Sequence, residues 1–341
     1  MLYKPFFNIS LIVLMTLILI APACAEQTSG KIKVVCTTSV LTDPVTYIGG
    51  DRVEAVSIAD PALCPNVQSD IIPSRIQKNA DFIRTADLFV AFNDSNDISY
   101  NIPAVEKYMS SNGYGAVTWK RISNLSAWNT PGTARALAAQ VKGWLVEKDP
   151  ANQSYYEQRY SDYLKTFDAI GPSAAEKAQL NGTKAVVMMW QVDPVQKWLG
   201  MDVVNTFAPE FVMKGTKTPD KIVADINAHP ENYTGVAYVI ENMQSGELAR
   251  GIEEALHDKG INAKRVIFTN FPYSVAGVET MADVLNYNKN LVLQSAATAT
   301  PTAAPVPTAT QTATPAPMGT LPLVAGLLIG AVLVLSRARK D

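Results

Sequence analysis

The chain reads as an α/β protein. Two Rossmann-like lobes with mainly parallel sheets are joined by a long backbone helix, and a C-terminal transmembrane helix follows. Three observations predict this. Short apolar, β-branched runs alternate with helical patterns in two series, one on each side of residues 148–180. A stripe of aromatic residues at helical spacing lies between the series. An uncharged apolar run, Leu321–Leu335, precedes a basic tail.

In the first series, Ile32–Thr38, Val53–Ile58 and Asp87–Phe92 read as strands, with Ala116–Trp119 as a fourth. Nearly continuous apolar runs bounded by turn residues suit parallel strands buried on both faces. Pro44–Ile48 and Ile72–Thr85 are the intervening helices, and Ile48-Gly49-Gly50-Asp51 is a turn. Pro131–Glu147 is helical. Asp149-Pro150 then restarts a helix, with Asp as N-cap and Pro at its first position. Down it run Tyr156, Tyr160, Tyr163, Leu164, Phe167 and Ile170, one stripe of a 3.6-residue period that reads as core packing.

The second series repeats the alternation. Lys184–Trp190, Val236–Glu241 and Ala263–Thr269 are strands. Pro194–Leu199, Gly246–Lys259 and Thr280–Leu293 are helices. Ligands of such sheets bind beyond the carboxyl ends of strands, so function belongs in the residues that follow each strand.

The ends speak to location. Lys4, the apolar run Ile9–Ala21 and the small residues Ala21–Ala25 form an export signal, cleavable after Ala23 or Ala25. Cys24 is an alternative lipid-attachment residue. Residues 295–320 are almost all Ala, Thr and Pro, a composition that forms an extended spacer. Arg337, Arg339 and Lys340 after the apolar run predict a cytoplasmic tail. The expected organisation is a signal peptide (1–25), an N-terminal α/β lobe (26–147), a connecting backbone helix (148–180) and a C-terminal α/β lobe (181–294). A stalk (295–320), a transmembrane anchor (321–336) and a basic tail (337–341) complete it. The protein is thus expected on the exported face of the cytoplasmic membrane, held by its C-terminal helix. A Thr/Pro stalk before such an anchor is similar to archaeal surface proteins. Glycosylation sequons at Asn93, Asn124, Asn152, Asn181 and Asn232 are compatible with export.

Composition excludes some functions. A net charge of −2 with mixed charges argues against nucleic acid. No nucleophile elbow, His-containing catalytic arrangement or Gly-rich phosphate loop occurs, which argues against an enzyme. Cys36 and Cys64 in an exported domain suggest a disulfide. With Met188 or Met189 they would alternatively suit a soft ion such as Cu(I). The two histidines, His229 and His257, fall in a loop and on a helix and read as solvated.

Several stretches match one family. Val34–Asp60 (VVCTTSVLTDPVTYIGGDRVEAVSIAD), Asp60–Ile76 (DPALCPNVQSDIIPSRI), the following ADLFVAFN, Trp128–Ala134 with DPAN and its paired tyrosines, and Asn270–Asn288 resemble, in order and spacing, the zinc- and manganese-type (cluster A-I) solute-binding proteins of ABC transporters. The resemblance covers about residues 31–294. It implies two α/β lobes, a rigid connecting helix and a cleft that closes on its ligand. It also implies an ABC permease and its ATPase as partners, a monomeric receptor, and a divalent metal ion as transported ligand rather than cofactor.

That family holds its ion with three imidazoles and a carboxylate. By resemblance these places fall on Asn66 or Val67, Ser126, Gln191 and Asn270, all neutral here. Amides and hydroxyls alone do not bind Zn²⁺ tightly. Asp43, Asp60, Asp70, Asp193 and Glu241, at or shortly after predicted strand ends, are the alternative carboxylates. Trp128 and Trp190 flank the same places, and amides beside indoles resemble an organic-ligand pocket. A metal chelate, another ion or a small organic molecule therefore stand as alternative ligands. So does a surface adhesion or scaffold protein that has lost metal binding.

Overall fold

Buried parallel strands need crossover connections, and the computed structural model shows two sheets built that way. It describes residues 30–123, 127–213 and 215–297, all within one compact unit. The first sheet holds β1 (Ile32–Cys36), β2 (Val53–Ser57), β3 (Leu88–Ala91) and β4 (Trp119–Arg121) in the order β2-β1-β3-β4. The second holds β5 (Lys184–Met188), β6 (Asp202–Phe207), β7 (Val236–Asn242) and β8 (Lys264–Phe268) in the order β6-β5-β7-β8. Every pairing is parallel, with Val34 opposite both Ala55 and Leu88, and Val187 opposite both Thr206 and Ile240. The two lobes therefore share one topology. In each, the chain reverses direction beside its first strand, and a crevice opens there at the carboxyl ends.

Helices cover the sheets: α1 (Ser39–Gly49), α2 (Ile72–Lys78) and α3 (Ile102–Ser111) in the first lobe, then α4 (Pro131–Lys148), α5 (Gln153–Ala169) and α6 (Ala174–Leu180). α7 (Pro219–Ala228), α8 (Arg250–Asp258) and α9 (Met281–Ala297) follow. Local chemistry sets several starts. Thr130 and Thr133 form a capping box before Pro131, and Ser173 and Glu176 form another before α6. The Gly49-Gly50 turn ends α1. Gly50 has φ +53, and a Cβ there would overlap the Tyr155 hydroxyl of α5.

The aromatic stripe is core. Tyr156, Tyr163 and Phe167 are buried among α1, α4 and α5, with Tyr160 and Ile170 packed at the margin. α9 ties the lobes together. Its Met281, Val284 and Leu285 lie in the first-lobe core, and Val292 lies in a second-lobe core with Val187 and Ile240.

The structure departs from the sequence reading in places. β4 lies further on than Ala116–Trp119. β6, α3 and α7 were not expected. Residues 193–198 form a wide π-turn closed by Leu199 N–H to Pro194 O at 2.9 Å, rather than an α-helix. The fold class is corrected in one part. Among the described residues no helix is long and apolar enough to cross a membrane. The 18-residue α4, for one, carries Arg135, Lys142, Glu147 and Lys148. The C-terminal transmembrane helix is accordingly not an element of the described fold, and residues 321–336 lie outside the described residues, as do the export signal, Cys24 and the tail.

Candidate functional site

The loops at the carboxyl ends of both sheets meet around a cavity of about 490 Å³. Cys64 and Asn66 come from the loop after β2, Asp94 and Asn96 from that after β3, and Trp128 and Asn129 from the approach to α4. The second lobe contributes Met189, Trp190 and Asp193 after β5, Asn242 at the end of β7 with Gln244 and Ser245 after it, and Asn270 and Phe271 after β8.

Buried hydrogen bonds hold these loops. Asp97 accepts the Thr37 hydroxyl, the Phe92 N–H and the Asn101 amide, each at 2.6 Å, and so ties the end of β1 to the loop after β3. Burial, together with the nearby Asp94 charge, pushes Asp97 up to about 7 against these bonds. In the second lobe Asn288 of α9 both donates to and accepts from the backbone of Thr269, at 2.8 and 2.9 Å. That fixes the residue before Asn270. Gln191 is fully buried and gives its Nε2 to the Oδ1 of Asn242 and of Asn270, both at 2.6 Å. One amide thus orients two others.

Among the described residues, three hydrogen bonds join the lobes beside the cavity. Asn129 Nδ2 donates to Trp190 O at 2.6 Å, Trp128 Nε1 to Asn270 O at 3.3 Å, and Gln244 Nε2 to Pro61 O at 3.1 Å. The Trp128 ring lies against Phe92 and Phe271, with centroids 4.8 and 6.0 Å away.

Of the residues singled out from sequence, the cavity gathers Asn66, Trp128, Trp190 and Asn270 together with Cys64, Met189 and Asp193, and Gln191 lies directly behind. Val67 is 63% exposed and lines a neighbouring groove instead, so Asn66 is the better-placed of the two. Ser126 lies outside the described residues. Asn129, Asn242, Gln244 and Ser245 escaped the sequence reading. The strand-end rule pointed at Asn242, one residue beyond the run taken as a strand.

The disulfide expected between Cys36 and Cys64 is not formed. Both are free and buried. Burial pushes the Cys36 thiol up to about 12, and Cys36 does not line the cavity. Four of the five substitute carboxylates are away from the cavity lining. Asp43 bonds Tyr163, Asp60 pairs with Arg75 at 3.2 Å, Asp70 is exposed, and buried Glu241 pairs with Arg265 at 3.1 Å. Asp193 does line the cavity, and pairs with Lys197 at 2.9 Å. His229 is exposed beside Glu231, and His257 bonds Ala263 O at 2.7 Å. Among the described residues no three His, Cys, Asp or Glu are grouped so as to hold a metal ion.

The family model for the zinc-uptake complex component A, periplasmic (ZnuA), matches residues 34–289. The chain belongs to the ZnuA family. A curated relative, the manganese ABC transporter substrate-binding lipoprotein PsaA of Streptococcus anginosus, is 27% identical over 191 residues. That match covers 49% of this chain and 60% of the relative, so the chain spans less than two thirds of that protein's length. Among solved structures, the periplasmic zinc-binding protein TroA of Treponema pallidum is similar with a TM-score of 0.58 and 14% identity, over 78% of this chain and 99% of that one. The manganese-bound periplasmic metal-binding protein of Candidatus Liberibacter asiaticus matches with a TM-score of 0.54 and 15% identity, over 78% of this chain and all of that one. At such identities the ZnuA-family likeness to solved structures is one of fold. The relatives are components of transport systems, not enzymes.

Proposed function

We propose that this ZnuA-family chain is the substrate-binding protein of an ABC importer, working on the exported face of the membrane. It takes cargo between its lobes and presents it to a permease driven by an ATPase. One observation carries the reading: the loops after five strands, from both lobes, converge on a single cavity and are bonded to each other across it. A receptor needs this arrangement, because cargo that touches both lobes favours the closed form, and closure is what a permease can sense.

Zinc and manganese are the ions named for the family model and the relatives. Cargo of that kind in this chain would meet Asp94, Asp193 and Cys64 at the cavity wall. The imidazole, thiolate and carboxylate set that grips zinc is not assembled there.

The test is crosslinking of the full-length chain in membranes of its own source, with the captured proteins identified by mass spectrometry. Recovery of an ABC permease and its ATPase is expected. Crosslinks to neither would overturn the importer reading.

A further inference from the structure

The cavity wall offers an uncharged set of hydrogen-bonding groups. Asn129 commits its Nδ2 to the carbonyl of Trp190, and Gln244 commits its Nε2 to the carbonyl of Pro61 and the hydroxyl of Thr269. A carbonyl only accepts, so these contacts fix which end of each amide is the nitrogen. The oxygens, Asn129 Oδ1 and Gln244 Oε1, are buried and, among the described residues, have no hydrogen-bond partner. Both side chains are more than nine-tenths buried, at 5% and 7% exposure. Buried orphan acceptors are costly in a folded protein, and three side chains that line one cavity, Asn129, Gln244 and Ser245, each carry such an oxygen, which donors from a ligand would satisfy.

Donors are present too. Asn242 and Asn270 turn their oxygens to Gln191, and among the described residues nothing accepts from their Nδ2 atoms. Trp190 and Phe271 add flat apolar surface. The two wall carboxylates are already engaged: Asp193 by Lys197, and Asp94 by the Asp97 N–H at 2.8 Å. Size points the same way. A cavity of about 490 Å³ suits a small organic molecule. A bare ion needs donors only about 2 Å from its centre.

We propose that the cleft takes a small, uncharged, flat organic molecule whose edge carries both N–H and C=O groups, an amide- or lactam-like cargo, in place of a bare divalent ion. Its N–H groups bond the oxygens of Asn129 and Gln244, its carbonyl accepts from Asn242 and Asn270, and its face lies against the aromatic wall. The proposal rests on the reading of the chain as an importer's receptor.

The test uses the full-length chain with four separate probes: uracil, nicotinamide, zinc chloride and manganese chloride. Native mass spectrometry and tryptophan fluorescence report binding. A 1:1 complex with uracil or nicotinamide is expected, weakened about tenfold or more by Asn129→Ala and by Gln244→Ala, with melting curves confirming that both variants fold. Trp190→Phe should keep binding within a few fold, and Trp190→Ala should lose it. Zinc or manganese held 1:1 through dialysis would overturn the proposal, and so would failure of both organic probes. In either case the permease crosslink tells the failures apart. If it persists, only the cargo class is wrong; if it is absent, the receptor reading falls as well.

Discussion

Asn129 of the first lobe donates its amide nitrogen to the main-chain carbonyl of Trp190 in the second, at 2.6 Å. Both residues line the cavity, so the bond is a latch at the site itself. A net hydrogen bond contributes roughly 1 kcal/mol, which corresponds to about a five- to tenfold change in a closed-to-open equilibrium. Asn129→Ala should shift the lobes towards the open form by that factor. Energy transfer between a dye on each lobe measures it. An unchanged distance distribution would show that the other two interlobe bonds and α9 hold the lobes without the latch.

Away from the cavity, Asp43 of α1 meets Tyr163 of α5 and the start of α9. Its Oδ2 accepts the Tyr163 hydroxyl at 2.6 Å and the Met281 N–H at 2.8 Å. All three groups sit in the first-lobe core. Tyr163→Phe keeps the ring, which packs edge-on to Phe167 at 5.1 Å, and removes one of the two donors to a buried carboxylate. A loss of about 1–3 kcal/mol in urea unfolding is expected, the cost of leaving a buried polar group short of a partner. A loss as small as a surface substitution would mean that water reaches Asp43.

The same carboxylate makes stability depend on pH. Burial raises Asp43 from 3.8 to about 7, against the opposing hydrogen bonds, and raises Asp97 likewise to about 7. A raised acid binds its proton more tightly in the folded state than in the unfolded one. Between about pH 4 and pH 7 the native protein therefore holds more protons, and stability must fall as pH rises through that window. The direction is opposite to that of a salt-bridged aspartate. Unfolding free energies measured from pH 4 to pH 8 should decline, and Asp43→Asn should flatten part of the slope. A rise over this range in the wild type would refute the assignment of these two groups.

Much of this architecture is legible in the chain, and the exceptions have physical causes. β1, β3, β5 and β7 lie at the centres of their sheets, buried on both faces, so they read as continuous apolar runs. β6 is an edge strand and breaks that pattern. Its Asn205 bonds the Tyr233 hydroxyl at 2.6 Å and Lys217 at 2.7 Å, so a polar residue occupies a strand position for the sake of partners distant in sequence. The site divides in the same way. Gln191 and Asn270 directly follow the predicted strands Lys184–Trp190 and Ala263–Thr269 and could be found by counting. Asn129 and Gln244 matter only because the fold brings Trp190 O to one and Pro61 O to the other, 61 and 183 residues away. The membrane helix rests on an apolar run and the basic residues after it, and these lie outside the described residues.

In the second lobe, Glu241 is fully buried near the end of β7 and depends on a cation and a backbone N–H. Its Oε1 meets Arg265 Nη1 at 3.1 Å, and its Oε2 accepts the Ala249 N–H at 2.8 Å. Burial nevertheless holds its carboxyl above the usual range, so desolvation outweighs what the partners return. Arg265→Met would strand the charge, and breaking a buried pair from one side costs about 3–5 kcal/mol. Glu241→Gln/Arg265→Met together should recover much of that loss, since no charge is then left buried. Urea unfolding of both variants at pH 7 measures the difference. The single variant should also lose less at pH 4, where Glu241 can protonate. If the double variant is as unstable as Arg265→Met, then packing of the arginine stem, and not the stranded charge, is what β8 requires from this pair.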